Sequence, residues 1–193
     1  MDSDPRNTPT FRTRLRLFLI NTLYIAAAVL LAALIQAFVI RPFIVSGNSM
    51  VPNIHDKEYL LVDEITYRTR EPERGEVVVF RAPPEPGKYY IKRIIGLPGE
   101  TVRIADGTVT IINDEHPEGL VLSEPYIRYN QTDEVMTVTV PEGTYFVMGD
   151  NRTGSYDSRG WGPLDEDEIR GRALLRLLPL TRIDYLPAIA TYE

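Results

Sequence analysis

From Leu17 to Ile40 the chain carries no charge, and only Asn21, Thr22, Tyr24 and Gln36 interrupt its apolar run. A helix of these 24 residues, at about 1.5 Å per residue, crosses the hydrocarbon core of a bilayer with some tilt. Beyond Ile40 the pattern changes. Short runs rich in β-branched and aromatic residues alternate with clusters of Gly, Pro, Asn and Asp, which is the pattern of strands and turns. Strands are expected at Phe43–Val45, Tyr59–Glu64, Glu76–Arg81, Tyr89–Ile95, Thr101–Ala105, Thr108–Asn113, Val135–Val140, Thr144–Met148 and Ala173–Leu178. Ala105-Asp106-Gly107-Thr108, between two of these runs, predicts a tight hairpin turn. Residues 83–87 and 98–99 read as loops, 113–133 as a long polar surface excursion, and Asp165–Glu168 with Ile169 as one helical turn. The expected fold class is mainly β. An antiparallel sheet domain outside the membrane (41–193) hangs from one N-terminal transmembrane helix (17–40), after a basic cytoplasmic tail (1–16).

The flanks of the apolar run set its expected orientation. Arg6, Arg12, Arg14 and Arg16 precede it, against Asp2 and Asp4, so the N-terminus is expected in the cytoplasm and the rest outside. A cleavable targeting signal has a shorter apolar region that ends in small residues; this one ends in Ile40-Arg41-Pro42-Phe43 and reads as a retained anchor. Ala173–Leu180 is too short for a second span and Arg176 interrupts it. The absence of cysteine excludes disulfides, thiolate metal sites and a Cys nucleophile. Two histidines cannot build a multi-His metal centre without heavy help from carboxylates. A net charge of −6 argues against general nucleic-acid binding.

Three segments carry candidate chemistry. In Val45-Ser46-Gly47-Asn48-Ser49-Met50-Val51-Pro52 a serine in a glycine-containing turn exposes a hydroxyl and leaves backbone N–H groups free for an oxyanion. By itself this segment fits a capping or turn serine better. In Tyr89-Tyr90-Ile91-Lys92-Arg93-Ile94-Ile95-Gly96-Leu97-Pro98-Gly99 a lysine interrupts a β-branched run. Facing inward, it loses basicity through desolvation and becomes a usable base; at a sheet edge it only points to water. The third segment, residues 149–162, reads GDNRTGSYDSRGWG and holds the only tryptophan, paired opposite charges and two further hydroxyls. It is either a solvated loop or a fixed hydrogen-bond scaffold.

Together the motifs SGNSMVP, RGEVVVF, YYIKRIIGLPGE and GDNRTGSYDSRGWG, in this order, resemble bacterial type I signal peptidase, as does the later Gly171-Arg172-Ala173 with Pro179-Leu180. The resemblance covers the anchor and most of the remaining chain. It implies a mainly antiparallel β-domain and a serine endopeptidase that removes signal peptides from exported preproteins. It implies Ser49 as nucleophile and Lys92 as general base, with Ser155 hydrogen-bonded to Lys92. It further implies a supporting ion pair of Asp157 with Arg159, and Asp150 in the same scaffold. The resemblance also implies the Ser49 N–H as an oxyanion donor; Gly47 stands where many Gram-negative members carry a serine hydroxyl, so that side-chain donor is missing. Phe43, Val45, Tyr90 and Ile91 match positions lining shallow pockets for the −1 and −3 residues, and Met50 flanks the nucleophile at the same pockets. Signal peptides, membrane lipid and the translocation machinery are the implied partners, with no metal or cofactor.

Other readings remain at this point. His55 beside Asp56 could form a Ser–His arrangement, although the resemblance puts Lys92 in the base position; His116 is a weaker candidate. Asp165-Glu166-Asp167-Glu168 could bind a cation but fits a solvated turn better. Asn130-Gln131-Thr132 and Asn151-Arg152-Thr153 match glycosylation sequons by pattern alone. A self-cleaving LexA-like repressor or a pilus-maturation peptidase would share the Ser–Lys chemistry, and a non-catalytic anchored β-module would need none of it. The anchor, with no DNA-binding segment, speaks against the repressor.

Overall fold

A computed structural model of the chain describes residues 11–38, 40–128 and 134–186. Two units emerge, divided between positions 39 and 40. The first is helix α1, Phe11–Phe38. It starts earlier than the uncharged run, because Arg12, Arg14 and Arg16 are good helix formers whose charges do not oppose helix itself. It also ends earlier, because Ile40 belongs to a strand. The helix is long and apolar enough to cross a membrane. Thr22 returns its hydroxyl to the Phe18 carbonyl at 2.9 Å, so this polar group is satisfied inside the helix. Arg6 lies outside the described residues.

The second unit is antiparallel β-structure. Its strands are β1 (Ile40–Ile44), β2 (Tyr59–Asp63), β3 (Val77–Arg81), β4 (Tyr89–Gly96), β5 (Thr101–Ala105), β6 (Thr108–Ile112), β7 (Leu120–Val121), β8 (Met136–Thr139), β9 (Thr144–Met148), β10 (Leu164–Asp165), β11 (Ile169–Leu178) and β12 (Asp184–Tyr185). The main sheet runs β1-β2-β11-β3-β4-β9-β10, with β12 on β11. A smaller sheet runs β7-β6-β5-β8. The mainly β expectation holds.

The sequence pattern explains most of these elements. Val77–Phe80 is a continuous apolar run, and all four residues are buried between neighbours β11 and β4. The β5–β6 hairpin turns through Asp106 (φ 49°) and Gly107 (φ 72°), and two positive φ values in succession fit the twist of its strands. A core of Ile95, Val102, Ile104, Val109, Ile111, Leu122, Val140, Phe146 and Met148 joins the smaller sheet to β4 and β9.

Several boundaries differ from expectation. β1 begins at Ile40 and includes Arg41 and Pro42; proline is tolerated because, among the described residues, β1 pairs only with β2 and so lies at an edge. β11 begins at Ile169, its polar Arg170-Gly171-Arg172 start absorbed by a register shift against β3 between Ile169 and Gly171. Within 113–128 the expected surface excursion is pinned down. Leu120 and Val121 pair with β6, while Leu122 and Tyr126 are buried. The acidic run forms a 3-10 turn over Glu166–Glu168, and Glu168 faces Arg81.

Candidate active site

Between β1 and β2 the chain makes a closed loop. Val45 N–H donates to Glu58 O and Lys57 N–H to Val45 O, each at 2.9 Å, and these bonds tie the base of the loop together. Gly47 turns at φ 98°, a conformation L side chains rarely adopt, and its N–H donates to Asp56 Oδ1 at 2.9 Å. Residues 50–54 close a tight turn through the Ile54 N–H to Met50 O bond, 2.9 Å. Met50 and Ile54, each 1% exposed, sink into a cluster with Val45, Leu60, Val77 and Ala173. Their burial holds Ser49 at the surface of the turn. Met50 is therefore core beneath Ser49 and does not line the cavity; its side chain points into the apolar cluster.

Lys92 stands in β4, between Val78 of β3 on one side and the start of the β9 pairing on the other. The strand is interior, so the edge-lysine reading fails. Successive strand residues face opposite sides. Lys92 (4% exposed) turns one way, and Nζ lies 2.8 Å from Ser49 Oγ and 3.0 Å from Ile91 O. Arg93 (2% exposed) turns the other way and forms a two-pronged pair with Asp150 at 2.8 and 2.7 Å. Burial pushes the Lys92 pKa down to about 8, and the negative charges of Asp157 and Asp150 limit the fall.

The loop after β9 backs this pair. Asp157 caps the short helix α2 (Ser158–Trp161), accepts from the Gly149 N–H at 2.9 Å and holds Arg159 Nε at 2.8 Å. Burial alone would raise its carboxyl pKa, but Arg159 and the Gly149 N–H hold it below the ordinary value. Asp150 is bonded to Asn53 as well as Arg93, and Arg152 to Glu124. Gly149 fits where a Cβ would overlap both Ser155 Oγ and the Ser49 carbonyl. The buried Ser155 Oγ has no hydrogen-bond partner among the described residues, in contrast to the bond to Lys92 that the resemblance implies. The ammonium is directed to Ser49 and Ile91 instead.

A cavity of about 330 Å³ opens beside the pair. Phe43, Val45, Tyr90 and Ile91 line it together with Ser49, Lys92 and Gly154. His55 lies instead beside Arg182 (3.1 Å) and Glu58, and His116 is exposed on its own turn. The sequence reading missed three contributors: Gly149, Asn151 and Asp56. Asp56 and Asn151 hold main-chain groups of the turn and Gly149 acts through close packing, and no residue-type pattern announces either.

Comparison with known proteins decides the family. A model described as signal peptidase, peptidase S26, matches residues 19–178. The chain belongs to that family. A probable signal peptidase I-2 of Synechocystis is 40% identical over 172 residues, 86% of this chain and 76% of that one. Signal peptidase I of Bacillus licheniformis is 40% identical over 82% of this chain and 88% of its own. Signal peptidase I T of Bacillus subtilis is also 40% identical, over 82% and 84%. A crystal structure of a signal peptidase I from Enterococcus faecalis, 34% identical, matches 53% of this chain and 97% of that one with a TM-score of 0.46. Membership in the signal peptidase family makes the chain a serine endopeptidase.

Proposed function

We propose that this chain removes signal peptides from exported preproteins by a Ser49–Lys92 dyad acting through an acyl-enzyme. The observation that carries the reading is the 2.8 Å approach of Lys92 Nζ to Ser49 Oγ beside a cavity. With a pKa of about 8, roughly a tenth of Lys92 is neutral at pH 7. Neutral Nζ takes the Ser49 proton as Oγ attacks the scissile carbonyl. The Ser49 N–H stabilises the oxyanion, and the Lys92 ammonium then protonates the leaving amine. Water, deprotonated by Lys92, hydrolyses the ester and frees Ser49. Gly47 does not share the oxyanion role, because its N–H is held by Asp56 and it has no hydroxyl.

The substrate lies extended against β1 and β4, adding main-chain hydrogen bonds beside Phe43–Val45 or Tyr90–Lys92. Phe43, Val45, Tyr90 and Ile91 fill much of the cavity wall, so only small residues are accommodated at −1 and −3. Helix α1 anchors the chain in lipid with the N-terminus cytoplasmic, and residues 41–193 meet preproteins arriving from the translocation machinery.

The test is cleavage of a preprotein by the full chain in lipid vesicles. Ser49→Ala and Lys92→Arg should each abolish processing while retaining the fold, since a guanidinium cannot serve as base. Wild-type cleavage by Ser49→Ala would overturn the reading.

A further inference from the structure

One residue outside the expected site holds two successive carbonyls of the nucleophile turn. The Asn151 side-chain amide donates from Nδ2 to Asn48 O at 3.1 Å. The Asn151 backbone N–H donates to Ser49 O at 2.9 Å. Asn48 O and the Ser49 N–H belong to the same peptide unit. In a trans peptide, carbonyl and N–H point in opposite directions. Anchoring that carbonyl toward the 149–154 loop therefore turns the Ser49 N–H away from it. A longer bond within the turn, Val51 N–H to Asn48 O at 3.3 Å, acts in the same sense.

The amide is itself pre-set. Asn151 Oδ1 accepts from the Gly154 N–H at 3.2 Å and from the Thr153 hydroxyl at 3.4 Å. With the oxygen so engaged, Nδ2 is the end left to face Asn48. Gly154 has room for no side chain while the amide stands there. A Cβ at Gly154 would come within 2.6 Å of Nδ2 and 3.0 Å of Cγ. Gly154 also lines the cavity, so the arrangement borders the reaction space.

We propose that Asn151 is a positioning residue that aims the Ser49 N–H at the oxyanion, with Gly154 required as the surface that keeps its amide in place. The inference rests on the reading of Ser49 as nucleophile and of its N–H as oxyanion donor. Aspartate at 151 is nearly isosteric and keeps the turn bonds to Gly154 and Thr153, yet sets an oxygen against the Asn48 oxygen. Alanine removes the side-chain anchor and keeps the backbone one.

The experiment uses the full chain with a synthetic signal-peptide substrate and with a peptide aldehyde of the same sequence, whose hemiacetal oxygen takes the oxyanion position. Losing one oxyanion donor outright typically lowers rate by about 10²–10³, so a misaimed donor should lower kcat about ten-fold or more. Asn151→Asp and Asn151→Ala should show this loss on the alkaline plateau of their pH profiles, with KM within about two-fold. Aldehyde affinity should fall in step with kcat. The midpoint of the profile should not move in Asn151→Ala, because Asn151 makes no bond to Lys92. Gly154→Ala, with Asn151 intact, should reproduce the kcat loss and covers the case in which a 151 variant does not fold. Wild-type kcat in Asn151→Asp, a loss confined to KM, or unchanged aldehyde affinity would overturn the proposal. Ser49→Ala in parallel separates the two failures. If it still cleaves, the nucleophile is wrong; if it is dead while the Asn151 variants are unimpaired, only this inference falls.

Discussion

Lys92 shows how much one side chain depends on the strand that carries it. Burial in β4 disfavours its ammonium form and brings its pKa to about 8. The neutral base therefore gains population as pH rises through that value. The pH profile of kcat/KM should rise with an apparent pKa of about 8 and level off above it. Asp157 pulls this pKa upward, so Asp157→Asn should move the limb to lower pH. A limb that stays in place would remove Asp157 from the electrostatics of the base. The ordered motifs and the resemblance they carry singled out Ser49 and Lys92; taken alone, the serine segment fitted a turn or cap and the lysine an edge strand. The sequence did not disclose that Asp56 takes the Gly47 N–H or that Met50 lies beneath the turn. Those facts depend on main-chain direction, which residue types do not encode.

At the scale of elements, β11 governs how the site is framed. Gly171 approaches β2 so closely that a Cβ would overlap the Asp63 carbonyl and come within 3.1 Å of Glu64 Cα. The overlap is with backbone, which cannot swing aside as a flexible side chain does. Gly171→Ala should thus lower the thermal midpoint by several degrees, about what a loss of 1–3 kcal/mol produces in a domain of this size. A calorimetric scan showing an unchanged midpoint would refute the close fit. Strands with clean alternation or continuous apolar character, such as β3, β5 and β6, were readable from the sequence. β1 and β11 were readable only in part, since Pro42 and Arg170-Gly171-Arg172 break the pattern where edge position and irregular pairing absorb them. The two-residue strands β7, β10 and β12 carry too few residues to show any period.

Across the whole second unit, buried acids are matched to arginines. Glu76 meets Arg70 and Arg172, Glu100 meets Arg74, and Glu58 meets Arg176 and Arg182. Burial raises the Glu76 and Glu100 pKa values, but the guanidinium and N–H bonds they receive outweigh it and hold both below their ordinary 4.5. A carboxylate held down in this way stabilises the fold above its unfolded pKa, and the contribution vanishes as acid protonates it. Thermal stability should hold from pH 7 to about 5 and then fall steeply toward about pH 3. Glu76→Gln should flatten that slope, although it costs stability at neutral pH by removing the buried carboxylate that Arg70 and Arg172 share. An unchanged midpoint between about pH 5 and 3 would count against the buried pairs as the source of stability. Composition alone gave only the net acidity, because the pairing partners are separated by up to 124 positions in the chain.

The strand order has a further meaning for a protease made residue by residue on a ribosome. Ser49 follows β1, Lys92 lies in β4, and the strand that bridges β2 to β3 is β11, near the far end of the chain. Until residues 169–178 have been synthesised, Ser49 and Lys92 have no continuous sheet to register them. The order of synthesis thus leaves to one of the last strands the joining of the sheet beneath Ser49 to the sheet that carries Lys92.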